Sequence, residues 1–242
     1  MAIASIFVFH AHKKLFDNFQ ATFIFQVSEM TLSVLFAGLL AYLLGSVPTS
    51  VWYGQAFFGI DVREHGSGNA GATNTFRTLG KKAGTIVLLI DVLKGWLAAN
   101  LALILFYLNE ITLDERVPMK LAFGIIAVIG HLFPVFARFK GGKGVATLLG
   151  MVLSIHPEAA GVCILVFILV MLSSRYISLS SIVATLAFPL MMVFNLFGPE
   201  HNLLVIFGFI LFGLIVYTHH KNIGRLLRGE EARIPIGRRR SR

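Results

Sequence analysis

Three stretches of this chain mix cations and amides with glycine in a way that suits an anion. The first, GSGNAG at Gly66 to Gly71, continues through ATNTFR and offers Ser67, Asn69, Thr73, Asn74 and Arg77. The second, ARFKGGKGVAT at Ala137 to Thr147, sets Arg138, Lys140 and Lys143 around Gly141, Gly142 and Gly144. The third supplies His219, His220, Lys221, Asn222 and Arg225. Glycine lets backbone N–H groups approach an anion, and a nearby Arg or Lys neutralises it. Two glycine-rich loops on one face would suit two phosphates, or one phosphate gripped from both sides.

The familiar phosphate motifs do not account for these letters. GSGNAG matches the G-x-G-x-x-G dinucleotide fingerprint, but that motif needs a strand before it and an acid about 20 residues later for the ribose. An apolar helix precedes it here, and Lys81, Lys82 and Gly84 stand where the acid belongs. GGKG is no P-loop either: glycine follows its lysine where a hydroxyl residue should bind magnesium, and Ala137 occupies the place of the motif's first glycine. Lys81, Lys82 and Arg238 to Arg240 read as charges that set membrane orientation.

Other chemistry is sparse. No cluster of His, Cys and carboxylates has ligand spacing, so no metal site and no cofactor are expected. The single cysteine, Cys163, sits in an apolar run and reads as a packing residue. Asp91 and Lys94 lie three apart on one helix face, where a functional role and a mutually neutralised structural pair both stand. His131, ahead of Phe133 and Pro134, reads as a hydrogen-bonding cap on the bundle.

The elements that must position these residues are helices in a bilayer. Of the 242 residues 56% are hydrophobic and 14% charged, and the apolar runs are continuous, which excludes the alternating strands of a membrane barrel. Spans are expected over about 32–53, 85–108, 117–136, 159–172, 177–197 and 203–217, with GSVP (Gly45 to Pro48) bending the first. The run 145–155 is too short to cross and reads as a half-helix starting inside the bundle. The fold class is therefore an all-α polytopic membrane protein with about seven membrane helices, one of them a half-helix.

Basic residues orient it. Sixteen Lys and Arg fall on the connecting segments of one side and four on those of the other, so the positive-inside rule puts the N-terminus outside and the C-terminus in the cytoplasm. Every glycine-rich stretch then faces the cytoplasm, where phosphorylated metabolites are. The net charge of +9 is explained by orientation and anionic lipid, with no nucleic-acid partner. Residues 1–30 read as an extension, either an interfacial helix or a mis-assigned start with translation beginning at Met30. A domain over 31–229 and a basic cytoplasmic tail over 230–242 complete the chain.

SGNAGATNTFRTLGKKAG, GHLFPVFARFKGGKGVAT and HHKNIGRLLRGEE resemble, in order, the three cytoplasmic motifs of the bacterial acyl-phosphate:glycerol-3-phosphate acyltransferases. The resemblance runs from Gly45 through IDVREHGSGN and the Asp91/Lys94 segment to the tail. It implies a multi-pass inner-membrane enzyme that moves a fatty acyl group from acyl phosphate to the sn-1 hydroxyl of glycerol 3-phosphate, giving lysophosphatidic acid and phosphate. It further implies the lipid bilayer and the soluble phosphate acyltransferase that makes acyl phosphate as partners. By the same resemblance Ser67, Asn69, Asn74, Arg77 and Ser178 contact substrate or phosphate, and Lys143 does so with Gly141, Gly142 and Gly144. His219 and Asn222 are carried over as hydroxyl-activating and positioning groups; either His219 or a substrate phosphate takes the proton. His12 and Asp17 imitate a motif of another class of glycerolipid acyltransferases, but they fall in the extension on the outer side and are rejected as catalytic.

Overall fold

The computed structural model describes residues 32–198 and 202–234, which are helical apart from turns and connecting loops. The expectations for residues 1–30, His12 and Asp17 included, and for the end of the tail lie outside these described residues. The expected first span is two helices, α1 (Leu32–Ser46) and α2 (Thr49–Phe58), which meet at 44°. Pro48 sits at the break because it has no N–H to continue the ladder. The polar loop that follows contains a short helix, α3 (Ala72–Thr78), and leads into α4 (Lys81–Tyr107).

Next come α5 (Arg116–Leu132), α6 (Val145–Ile155), α7 (Pro157–Ser174), α8 (Ile177–Val193), α9 (Asn202–Thr218) and α10 (His220–Leu227), the last bent 64° from α9. Within the expected span to 136 the regular α-helix ends at Leu132, because the residue before Pro134 is pushed out of helical geometry, while Arg116–Ala137 together is long and apolar enough to cross. The chain resumes as one 3-10 turn, Val135–Ala137. Among the described residues three helices are long and apolar enough to cross a membrane, and up to five if each bent pair counts as one span. The 11 residues of α6 reach only about 16 Å, the length expected of a half-helix.

Small residues let the helices touch backbone to backbone, which matters where lipid supplies no hydrophobic drive for helix association. A Cβ on Gly95 of α4 would run into the Thr147 carbonyl of α6, and one on Gly150 of α6 into the Val92 carbonyl of α4. Gly45 meets Ala127 and Gly130 meets Tyr42 where α1 crosses α5 in the same manner. Leu35, Phe36, Leu89, Leu165 and Leu169 are among the large apolar side chains left exposed, as a lipid-facing surface requires.

The α1–α2 break explains Asp91 and Lys94, both almost fully buried. Pro48 leaves the backbone beside it without helical partners, and Lys94 Nζ donates to the Val47 carbonyl at 3.0 Å. Thr49 Oγ1 donates to Asp91 Oδ1 at 3.0 Å, and Lys94 pairs with the same oxygen at 2.8 Å. The pair stitches the break to α4. Buried charges in mutual contact satisfy each other; singly they would not be tolerated there.

Candidate functional site

The first glycine loop is built around Asn74. Gly66 and Gly68 take positive φ (61° and 72°), which turns the chain so that Ser67 faces outward at the tip. Asn74 Oδ1 accepts from Ser67 N at 2.8 Å and from Ser67 Oγ, while its Nδ2 donates to the carbonyls of Val62 (2.7 Å) and His65 (3.0 Å). Asn74, expected to bind phosphate, therefore has both amide hydrogens committed to holding the loop in shape. Ser67, Asn69 and Arg77 remain at the rim of a cavity, Arg77 exposed one turn along α3 from Asn74.

The second loop lies against the end of α5. Gly142 N donates to the His131 carbonyl at 3.1 Å. A Cβ on Gly141 would collide with that carbonyl, and one on Gly142 with the His131 ring. Neither glycine is among the residues lining the cavity; their smallness lets the loop lie against His131, and the Gly142 N–H is used internally. The Gly142 N–H is therefore not free for the expected approach to phosphate. Gly144, at φ 83°, turns the chain into α6, whose first residues, Val145 and Ala146, join Lys143 and Gly144 in the cavity wall. The cap expected of His131 is not made by Nδ1, which has no hydrogen-bond partner and stands 3.7 Å from Asp91 Oδ1.

The third stretch brings in a residue that motif spacing did not single out. At the α9–α10 bend Lys143 Nζ donates to Asn222 Oδ1. Asn222 Nδ2 in turn donates to Glu231 Oε1 at 2.7 Å. Glu231 also accepts from Ser178 Oγ at 2.8 Å and from Arg225 Nε at 2.7 Å. Its segment is tied down where Ile234 N donates to the Arg175 carbonyl. Ser178, expected to contact phosphate, thus gives its one hydroxyl proton to Glu231. Glu231 lies just past the expected 31–229 domain; its signal in the sequence was an acidic pair, GEE, inside a basic tail.

Electrostatics follow from burial. Loss of water pushes the Lys143 ammonium down to about 8, with Glu231 pulling upward and Arg225 and Arg77 downward. Burial, then the Lys143 charge, pushes His219 down to about 4. His219 Nδ1 lies 2.8 Å from the Ile215 carbonyl, which can only accept, so Nδ1 carries the proton and Nε2 has a free lone pair. Burial works to raise the Glu231 carboxyl, but hydrogen bonds from Asn222, Arg225 and Ser178 outweigh it and hold the group below its ordinary range. No group of three or more His, Cys, Asp or Glu residues is placed to hold a metal among the described residues.

Ser67, Asn69, Asn74, Arg77, Lys143, Gly144, Ser178, His219 and Asn222 all line one cavity of about 570 Å³. Its mouth is polar, with Arg77 and Lys143 as cations and the carboxylates of Asp91 and Glu231 already engaged by Lys94 and Arg225. Its interior is apolar, walled by Leu148 and Val152 of α6, Phe167 of α7 and Phe188 of α8, among others. A ligand with a phosphate at one end and a hydrocarbon chain at the other matches both halves.

Relatives of known identity carry the same arrangement of sequence. The chain is 43% identical over 206 residues to a glycerol-3-phosphate acyltransferase of Salinibacter ruber, covering 81% of this chain and 90% of that protein. It is 44% identical over 193 residues to the one from Bacillus cytotoxicus, with 80% and 91% covered. Two crystal structures of PlsY (YgiH), an integral membrane glycerol 3-phosphate acyltransferase, superpose on it: the glycerol 3-phosphate form (TM-score 0.71, 38% identity) and the lysophosphatidic acid form (TM-score 0.70, 39% identity). Each match covers 84% of this chain and 96% of the other. The family model for glycerol-3-phosphate acyltransferase spans residues 35–229, so that all three polar stretches fall inside it, and the chain belongs to this family of integral membrane acyltransferases.

Proposed function

We propose that this protein transfers a fatty acyl group from an acyl phosphate to the sn-1 hydroxyl of glycerol 3-phosphate, at the cytoplasmic face of a bacterial inner membrane. The observation that carries the reading is the single cavity in which a cationic mouth continues into an apolar slot. An acyl phosphate has both parts. Glycerol 3-phosphate needs only the mouth, where Ser67, Asn69 and Arg77 face Lys143. The start of α6 adds unpaired N–H groups with no side-chain cap, and such an end favours an anion.

The donor is a mixed anhydride whose leaving group is already good, so no acyl-enzyme is required and positioning with charge stabilisation can supply the catalysis. The sn-1 oxygen attacks the acyl carbonyl carbon and a C–O ester bond forms. The bond from that carbon to the phosphate oxygen breaks, and phosphate leaves with the electron pair. Lys143 and Arg77 neutralise it. Magnitudes favour one of the two proton acceptors: a phosphate with its second pKa at about 6 is a better base than His219 at about 4. His219 then accepts at Nε2 a hydrogen bond from the neighbouring, non-reacting hydroxyl of glycerol 3-phosphate and so orients the substrate, while a phosphate oxygen takes the single proton of the attacking hydroxyl.

Acyl phosphate hydrolyses readily and would be supplied by a soluble phosphate acyltransferase acting at the cytoplasmic surface, which the basic loops face under the positive-inside orientation. The test is incubation of the purified protein in detergent with labelled glycerol 3-phosphate and acyl phosphate. One acylated product per phosphate released is expected. Equal use of a thioester donor would refute the donor assignment, and uptake into vesicles without product would mean a transporter.

A further inference from the structure

The slot has a floor to which four helices contribute, and three of them give its depth. Counting inward from the polar mouth, the last residue lining the cavity is Leu153 on α6, Cys163 on α7, Phe188 on α8 and Gly208 on α9. Beyond them the bundle is filled: Met191, Met192 and Leu204 are buried and packed together with Phe188. Helical rise gives the depth. Val145 to Leu153, Ser178 to Phe188 and Gly208 to Thr218 correspond to about 12, 15 and 15 Å. Carbon–carbon bonds of about 1.5 Å, zigzagging, advance an extended chain by about 1.25 Å per carbon, so the slot holds about ten to twelve carbons.

One side of the slot faces lipid. The α4 residue Leu89 and the α7 residues Ile164 and Ile168 line it yet are 61%, 37% and 40% exposed. A chain can therefore swing in from the bilayer without threading end-on. We propose that Leu153, Cys163, Phe188 and Gly208 form the stop that sets how much of the acyl chain the enzyme seats, about twelve carbons, and that Ala184 is the wall position that gauges it. This rests on the donor assignment above. Ala184 is buried on the same face of α8, six residues or about 9 Å from Ser178. A bulky side chain there would stop the chain at about seven carbons.

The experiment uses non-transferable acyl phosphonates of about eight, twelve and sixteen carbons carrying a terminal diazirine, crosslinked to the wild-type protein and mapped by mass spectrometry. The shortest should label Phe167 and Ala184. The middle one should label the four floor residues, and the longest should shift to Leu89, Ile164 or the detergent. Ala184→Phe should move the floor label of the middle probe upward by about five carbons' length and lower long-chain turnover relative to short-chain turnover. Because the probes report position, a variant of low activity is still informative, and Cys163→Phe gives a second block, deeper than that of Ala184→Phe, at the floor itself. Labelling at one place whatever the length, or on α1 and α5, would overturn the stop. Failure of acyl phosphate to compete with any probe would instead count against the donor assignment.

Discussion

Neutralising Glu231 should make the enzyme fail at lower pH, through Lys143. On the proposed function Lys143 must be protonated to hold phosphate, and its ammonium sits at about 8, so kcat/KM for the proposed donor, acyl phosphate, should fall as pH rises through that value. Glu231 is the group holding Lys143 up against its own burial. Asn222 bridges them, accepting from Lys143 and donating to Glu231, which puts the charges roughly 7 Å apart, two hydrogen bonds and an amide. At an effective dielectric constant of about 20 their attraction is about 2 kcal/mol, equivalent to about 1.5 pH units. Solvent at the mouth screens part of it, leaving about one unit.

Glu231→Gln keeps the shape and one acceptor oxygen but removes the charge. The alkaline limb should move from about pH 8 to about pH 7. Lys143→Arg should abolish the limb, since guanidinium does not titrate below about pH 12. Initial rates in detergent from about pH 6 to pH 10, with glycerol 3-phosphate saturating, give both profiles; its own second ionisation, about 6, lies on the acid side. A limb unmoved or raised in Glu231→Gln, with thermal stability retained, would refute the electrostatic link. Persistence of the limb in Lys143→Arg would show that another group titrates.

His219→Gln, which keeps a hydrogen-bond acceptor, should retain far more turnover than His219→Phe; equal losses of about 100-fold or more would make His219 the base after all. Gly142→Ala places a methyl against the His131 ring and should tip Lys143 out of place, lowering kcat/KM by about 100-fold with little change in Tm. Asp91→Asn leaves Lys94 buried beside Thr49 without its counter-charge and should destabilise the fold by about 3–5 kcal/mol, seen as a fall in thermal stability that Lys94→Met partly reverses.

The helices were legible because each rule behind them is local. Apolar length marks a span, Pro48 marks a break because it lacks an N–H, and an 11-residue run cannot cross hydrocarbon. Helix α3 escaped that logic: seven residues, Ala72–Thr78, with three hydroxyls and an amide read as loop, and it is packing beside α4 that makes them helical. The site residues were legible by type but not by task. An asparagine among glycines looks like a ligand, and Asn74 uses the same donors and acceptors to hold its own loop. Ser178 and Glu231 are 53 positions apart, so nothing local announces their bond.

The least legible residue, Glu231, also carries the clearest physical logic. A site for phosphate gathers cations, yet a lysine withdrawn from water beside Arg77 and Arg225 tends to shed its proton and so lose the charge it is there to supply. Placing a carboxylate in direct contact with Lys143 would cure that but would occupy the phosphate's place. Asn222 resolves the conflict: its oxygen faces Lys143 and its nitrogen faces Glu231, so the negative charge acts from one amide's length behind the mouth. Lys143 stays cationic to about pH 8 while its front remains open to the phosphate proposed to bind there. Asn222→Asp would bring the carboxylate forward, and should raise the Lys143 pKa while weakening phosphate binding, two effects that a simple loss of packing would not produce together.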